Sequence, residues 1–272
     1  MRRIVTAAVA SFPLAACGGG TADADGDSVT VSYAWTVDGT AAGTRQLRDL
    51  NAGPRSSSPN NFLCFGNKLY YSAVEPRFGR ELFMTDGSFN GTLLVRDLVP
   101  GTGSSSPSAL LEHNGMLYFG ATTPAEGVEL WQSDGQRGGA TALVRDIAAG
   151  TASSRPTQLH SHRGKILFVA DGGNGPELWS SDGTAAGTIE LKDIHPATGS
   201  QISLAMGNAV IGNDLFFRAD DGTHGWELWK TDGTSNGTSM VKDQNPGAQG
   251  SALGDFVVVG NRLFFSARTN VI

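Results

Sequence analysis

The dipeptide Asp-Gly recurs at Asp38-Gly39, Asp86-Gly87, Asp134-Gly135, Asp182-Gly183 and Asp232-Gly233, in steps of 48, 48, 48 and 50 residues. A fixed period of this size marks one supersecondary unit copied and stacked, and it limits the fold before any single residue is interpreted. Each Asp-Gly precedes a basic-acidic pair: Arg48-Asp49, Arg96-Asp97, Arg145-Asp146, Lys192-Asp193 and Lys242-Asp243. Between each pair and the next Asp-Gly stands an apolar triplet, as in Leu69-Tyr70-Tyr71 and Leu117-Tyr118-Phe119. Four units then carry Glu-Leu-aromatic, beginning at Glu81, Glu129, Glu177 and Glu227.

Each unit therefore holds four short β-prone runs separated by Gly, Asn, Asp and Ser clusters, near 109–113, 116–121, 128–133 and 141–145 in the second. No stretch has helical period, and 37 glycines with only 17% charged residues suit many turns and short strands. Four strands in 48 residues is the size of one propeller blade, whose apolar faces only neighbouring blades can cover. The prediction is an all-β chain: a five-bladed β-propeller of four-stranded blades over residues 29–272. The repeats open with a second half, 29–50, and finish with a first half, 256–267. That phase predicts a ring closed by pairing of the N- and C-terminal half-repeats, with 31–37 beside 263–267. The rival is an open arc.

The string Glu-Leu-Trp-x-x-Asp-Gly-Thr, complete at 177–184 and 227–234, resembles the ELWxxDGT repeat of bacterial secreted and surface proteins. Other copies depart from it: Tyr33-Ala34-Trp35 in the first, Phe83 and Ser88 in the second, Gln136 and one inserted residue in the third. The resemblance implies a repeat fold and a bacterial cell surface; it implies no activity.

Two arginines, an apolar run from Ile4 to Ala16 and then Cys17 have the layout of an export signal. The quartet Leu14-Ala15-Ala16-Cys17 resembles a bacterial lipobox, which implies cleavage after a signal peptide of residues 1–16, lipid on Cys17 and attachment to the outer membrane or cell surface. Residues 17–28, small and acidic, read as a flexible tether. Cys64 is then left without an intrachain partner and is expected to be a small buried hydrophobe. The formal charge of −6 disfavours nucleic acid, and no apolar run is long enough to span a bilayer, so the lipid is the expected membrane contact.

Recurrence separates structure from function at the remaining polar residues. Asp38, Asp86, Asp134, Asp182 and Asp232 recur identically and are expected to accept backbone N–H bonds in hairpin turns, with glycines supplying positive φ. Each repeated Glu is expected to pair with its unit's basic residue across the hairpin: Glu81 with Arg96, Glu129 with Arg145, Glu177 with Lys192, Glu227 with Lys242. The loops before Glu-Leu-Trp vary instead, and variation on a fixed scaffold is where specificity can sit. Their candidate ligand-binding residues are Arg77, Arg80, Glu126, Asp171, Asn174, Asp220, Asp221, His224 and Trp226. His160 and His162 share a strand face but lack a visible third ligand, so no metal and no cofactor is assigned. No carboxylate pair stands out as acid and base, and no catalytic residue is named. The functional expectation is a non-catalytic envelope lipoprotein binding a glycan, peptide or protein; the alternatives are a carbohydrate-active enzyme or a purely structural surface protein.

Overall fold

The structure, a computed structural model, describes residues 21–22, 28–29, 33–53, 55–196, 199–204 and 209–269. Cys17, the signal segment and most of the expected tether lie outside them. Within 17–28 the described residues are Thr21, Ala22 and Ser28, which with Val29 form a short ladder of β1 (Thr21–Ala22) and β2 (Ser28–Val29).

Three four-stranded antiparallel sheets follow one another: β5 (Asn60–Phe65), β6 (Lys68–Glu75), β7 (Gly79–Thr85) and β8 (Leu93–Arg96); β9 (Ser108–His113), β10 (Met116–Thr123), β11 (Gly127–Ser133) and β12 (Thr141–Arg145); and β13 (Thr157–His162), β14 (Lys165–Asp171), β15 (Pro176–Ser181) and β16 (Ile189–Lys192). A fourth sheet has its first strand in two pieces, β17 (Gln201–Ser203) and β18 (Val210–Ile211), both on β19 (Asp214–Asp220), with β20 (Trp226–Thr231) and β21 (Ser239–Lys242) beyond. Sheet order follows chain order, and the described residues contain no helix. The fold is all-β and propeller-like.

The faces of these sheets form the core. Tyr70, Leu82 and Met84 of the first full sheet pack on Leu117, Phe119 and Trp131 of the second, and Leu130, Val144 and Tyr118 repeat that contact with Phe168 and Trp179 of the third. The outer residues of each triplet thus share a face with the Trp opposite them and pack on the preceding sheet, while the middle residue turns to the following one. Burying one such side chain contributes about 1.5–3 kcal/mol.

Two hairpins flank the four sheets: β3 (Trp35–Thr36) with β4 (Arg45–Gln46), and β22 (Gly254–Val259) with β23 (Arg262–Ser266). The first packs Ala34, Leu47 and Leu50 onto Tyr71 and Phe83, the place of a preceding blade. The expected pairing of the two halves is not among the ladders of the described residues: β3 pairs with β4 and β23 with β22. Their outward faces are correspondingly bare. Trp35 is 41% exposed where Trp131, Trp179 and Trp229 are 6–8%, and Phe264 is 55% exposed where Tyr70 is 1%.

Two further expectations are corrected. Cys64 is exposed, because its slot at the end of the first strand, held elsewhere by Glu112 and Ser161, faces solvent while Leu63 and Phe65 turn inward. None of the repeated glutamates pairs with its unit's cation. The ladders set Leu82, Leu130, Leu178 and Leu228 opposite the cation, so Glu, one residue earlier, points to the other face.

Candidate functional site

Each repeated Glu instead anchors the long loop that follows its own sheet. Glu129, fully buried, accepts hydrogen bonds from Ile147 N (3.0 Å), Ala148 N (3.3 Å), Ser154 N (2.9 Å) and Ser154 Oγ (2.5 Å). Glu177 does the same with Ile194, His195 and Ser200, and Glu81 with Leu98 and Ser105. Three or four donors aimed at one carboxylate replace the water it loses, which is how the fold keeps these groups inside. Burial nevertheless raises the Glu81 carboxyl above its usual value, against the opposing pull of the Ser105 and Leu98 hydrogen bonds.

Two of the repeated cations reach forward to the next sheet. Arg48 Nη1 donates to the carbonyl of Thr92 (3.4 Å), and Arg145 Nη1 donates to that of Thr188. Thr92 and Thr188 close the Asp-Gly turns of the following units. The turns are held from within: Asp86 Oδ1 accepts from Ser88 N and Asp182 Oδ1 from Thr184 N, each at 2.9 Å, and Asp38, Asp134 and Asp232 make the equivalent bond. The Thr40, Ser88, Thr184 and Thr234 side chains also hydrogen-bond these carboxylates and hold Asp38, Asp86, Asp182 and Asp232 below the usual carboxyl value. Only the first glycine of the motif has positive φ, +90° at Gly87 and Gly183. The second serves close approach: a Cβ on Gly91 or Gly187 would overlap the Asp86 or Asp182 carboxylate.

On the variable loops, several candidates are committed to their own turns. Asp171 Oδ1 accepts from Gly173 N (2.8 Å) and Gly175 N (3.0 Å), and Asp220 Oδ1 from Gly222 N (2.8 Å). Glu126 accepts from the Thr123 hydroxyl. Arg80 donates to the Ser58 carbonyl (2.9 Å), tying its loop to the inner strand, and burial lowers its pKa. Asp221 takes Thr223 N (2.9 Å) and His224 N (2.8 Å) on one oxygen and pairs with His224 Nδ1 (2.7 Å) on the other. Burial pushes the Asp221 carboxyl up, but the His224 and Thr223 hydrogen bonds outweigh it and leave the group lowered. The Asp221 hydrogen bond raises the His224 imidazole. Trp226, the first residue of β20, follows that loop with the Arg218 guanidinium 5.6 Å from its ring centroid, and Asn174 is exposed. Arg77 pairs with Glu75 (2.8 Å) and lies over Phe78.

Arg77 borders a cleft of about 380 Å³ between the β3–β4 hairpin and the first full sheet. Three further arginines line it: Arg48, Arg96 and Arg137. Sequence reasoning missed Arg48 and Arg96 by treating the basic residues as a uniform structural repeat, and it passed over Arg137 altogether. The available signal was the inserted residue of the third copy, whose turn contains Arg137.

No family model matches the sequence, and no curated protein matches it. Among solved structures the chain is similar to the computationally designed Ika8 protein (19% identity, TM-score 0.47), covering 88% of this chain and 64% of that one. It is also similar to a puromycin hydrolase S511A mutant complexed with PGG (15%, TM-score 0.49; 82% of this chain, 35% of that one). A third likeness is to the endo-arabinase from Bacteroides thetaiotaomicron VPI-5482 (14%, TM-score 0.32; 86% and 92%). Likeness this loose transfers no activity, substrate or residue role to this chain.

Proposed function

We propose that the protein is a non-catalytic binding module of the bacterial cell envelope, lipid-anchored through Cys17, that recognises a glycan on its loop face. The observation that carries this reading is the state of the carboxylates. Asp171, Asp220, Asp221 and the four repeated glutamates each accept donors from their own or the following loop, so they serve as loop anchors. A glycosidase acid and base need unlike environments and a gap for substrate or water between them. What the variable loops offer outward is amide, imidazole and aromatic surface at Asn174, His224 and Trp226, the chemistry of sugar binding. In the same reading the ring has five blades: β22–β23 and β3–β4 join edge to edge as the fifth, and the bare faces of Trp35 and Phe264 lie against the neighbouring sheets.

The experiment is a panel of microbial and plant polysaccharides, run as affinity electrophoresis beside reducing-sugar assays. Retarded migration with no release of sugar is expected. Steady product formation from any retarding polysaccharide would overturn the reading in favour of a carbohydrate-active enzyme.

A further inference from the structure

A cationic cleft opens where the β3–β4 hairpin meets the first full sheet. Arg48 and Arg145 each cross to the carbonyl of a turn-closing Thr in the next unit. Arg96 and Lys192 stand in the equivalent places and make no such bond to Thr141 or Thr238, so among the described residues the clip is present at two of these four seams. Thr141 keeps the place of the other turn-closing threonines, its hydroxyl on Ser133 as that of Thr92 is on Thr85, and the inserted residue lengthens the turn before it. Gly138 of the same turn donates to the Val95 carbonyl (2.8 Å). Arg96 is left exposed, and among the described residues neither it nor Arg137 makes a hydrogen bond or ion pair.

Both arginines open onto the cleft beside Arg48 and Arg77, against two carboxylates, Glu75 and Asp97. This local positive balance stands out in a chain of formal charge −6. The volume falls in the range of small-ligand sites, whereas the corresponding space at the next seam, beside Leu82 and Phe119, is about 10 Å³. Phe78, with the Arg77 guanidinium over its ring, borders the cleft, and Phe83 is buried beneath it.

We infer that this cleft binds the carboxylate groups of an acidic, uronate-bearing oligosaccharide. The inference rests on the glycan-binding reading above and gives it a site and a ligand class. Guanidinium forks match carboxylates in bidentate geometry. A peptide added as a strand is disfavoured, because Gly138 already occupies the Val95 carbonyl on the β8 edge.

The test is calorimetric titration of the intact protein with oligogalacturonate, with the same oligomer after reduction of its carboxyls to alcohols, and with polyglutamate. Variants are Arg96→Ala, Arg137→Ala and the charge-conserving Arg96→Lys, with Arg163→Ala as a cationic control outside the cleft; circular dichroism checks that each is folded. Binding of the acidic oligomer is expected to weaken about 10-fold or more for each cleft arginine removed, partly restored by lysine, and to be lost on carboxyl reduction. The control should bind as wild type. Equal binding of acidic and reduced oligomers, wild-type affinity in both alanine variants, or equally tight polyglutamate binding would each overturn the inference. If a neutral polysaccharide binds and Arg96→Ala/Arg137→Ala leaves that binding intact, this site falls while the glycan-binding reading stands; if no glycan binds, both fall.

Discussion

Replacing Glu129 tests whether the repeated glutamate is a loop anchor or half of an ion pair. Its carboxylate takes three backbone N–H groups, from Ile147, Ala148 and Ser154, and the Ser154 hydroxyl. Hydrogen bonds to a charged acceptor contribute about 1.5–3 kcal/mol each, offset by several kcal/mol for desolvating the carboxylate. Truncation to alanine removes the acceptor but leaves the donors buried, at about 1–3 kcal/mol for each that water cannot reach. Glu129→Ala should therefore lose about 3–5 kcal/mol, a fall in Tm of about 6–20 °C for a domain of this size. Glu129→Gln retains one acceptor oxygen but turns an amide donor toward an N–H or hydroxyl donor, and should lose about 2–3 kcal/mol.

Arg145 supplies the contrast. It is exposed and its structural bond runs to Thr188 in the next sheet, so Arg145→Ala should cost about 1 kcal/mol or less. The double variant should be additive within about 0.5 kcal/mol. Urea unfolding followed by tryptophan emission reads all of these, because Trp131 and Trp179 are 8% and 6% exposed at the adjoining interfaces. An Arg145→Ala loss equal to that of Glu129→Ala, with coupling above about 1 kcal/mol in the cycle, would restore the cross-hairpin pair and refute the anchor.

Three other outcomes are expected. In a Cys64→Ser background, Val37→Cys with Leu263→Cys should form an intrachain disulfide if the half-blades meet in the register Leu69–Thr85 has in the first full sheet; failure to cross-link, or purely intermolecular cross-linking, speaks against the five-blade ring. Gly187→Ala should destabilise by about 1–3 kcal/mol in thermal melts, because its Cβ displaces the Asp182 carboxylate, and a neutral result would contradict that close approach. His224 should titrate above the usual 6.5 and fall toward it in Asp221→Asn, followed by NMR of the imidazole carbons. Its raised value makes the pair's contribution full below 6.5 and lost as pH rises through the folded-state value; the lowered Asp221 carboxyl makes it vanish again as pH falls through its own. A His224 value unmoved by Asp221→Asn would remove the pair from consideration.

The strand plan was legible because it is periodic. Residues 109–113, 116–121, 128–133 and 141–145 became β9 to β12 with ends displaced by at most two residues, since alternation and turn glycines act locally. The partners of Glu and Arg were not legible. Offsets of five and ten residues about a turn place two side chains near each other along the strands, but a one-residue difference in register puts them on opposite faces. The register is fixed by the bulge between Leu130 and Trp131, which no residue in the motif announces. The candidate loop residues were half legible for a related reason. Asp and Asn are enriched in variable loops because they build tight turns as well as because they bind, and Asp171 and Asp220 are used in the first way. In a chain of near-identical units the residues that repeat are answering the same structural demand five times. The informative position is therefore the one where a copy stops answering it: the turn lengthened by one residue sets Gly138 on the Val95 carbonyl and Arg137 beside Arg96 at the cleft.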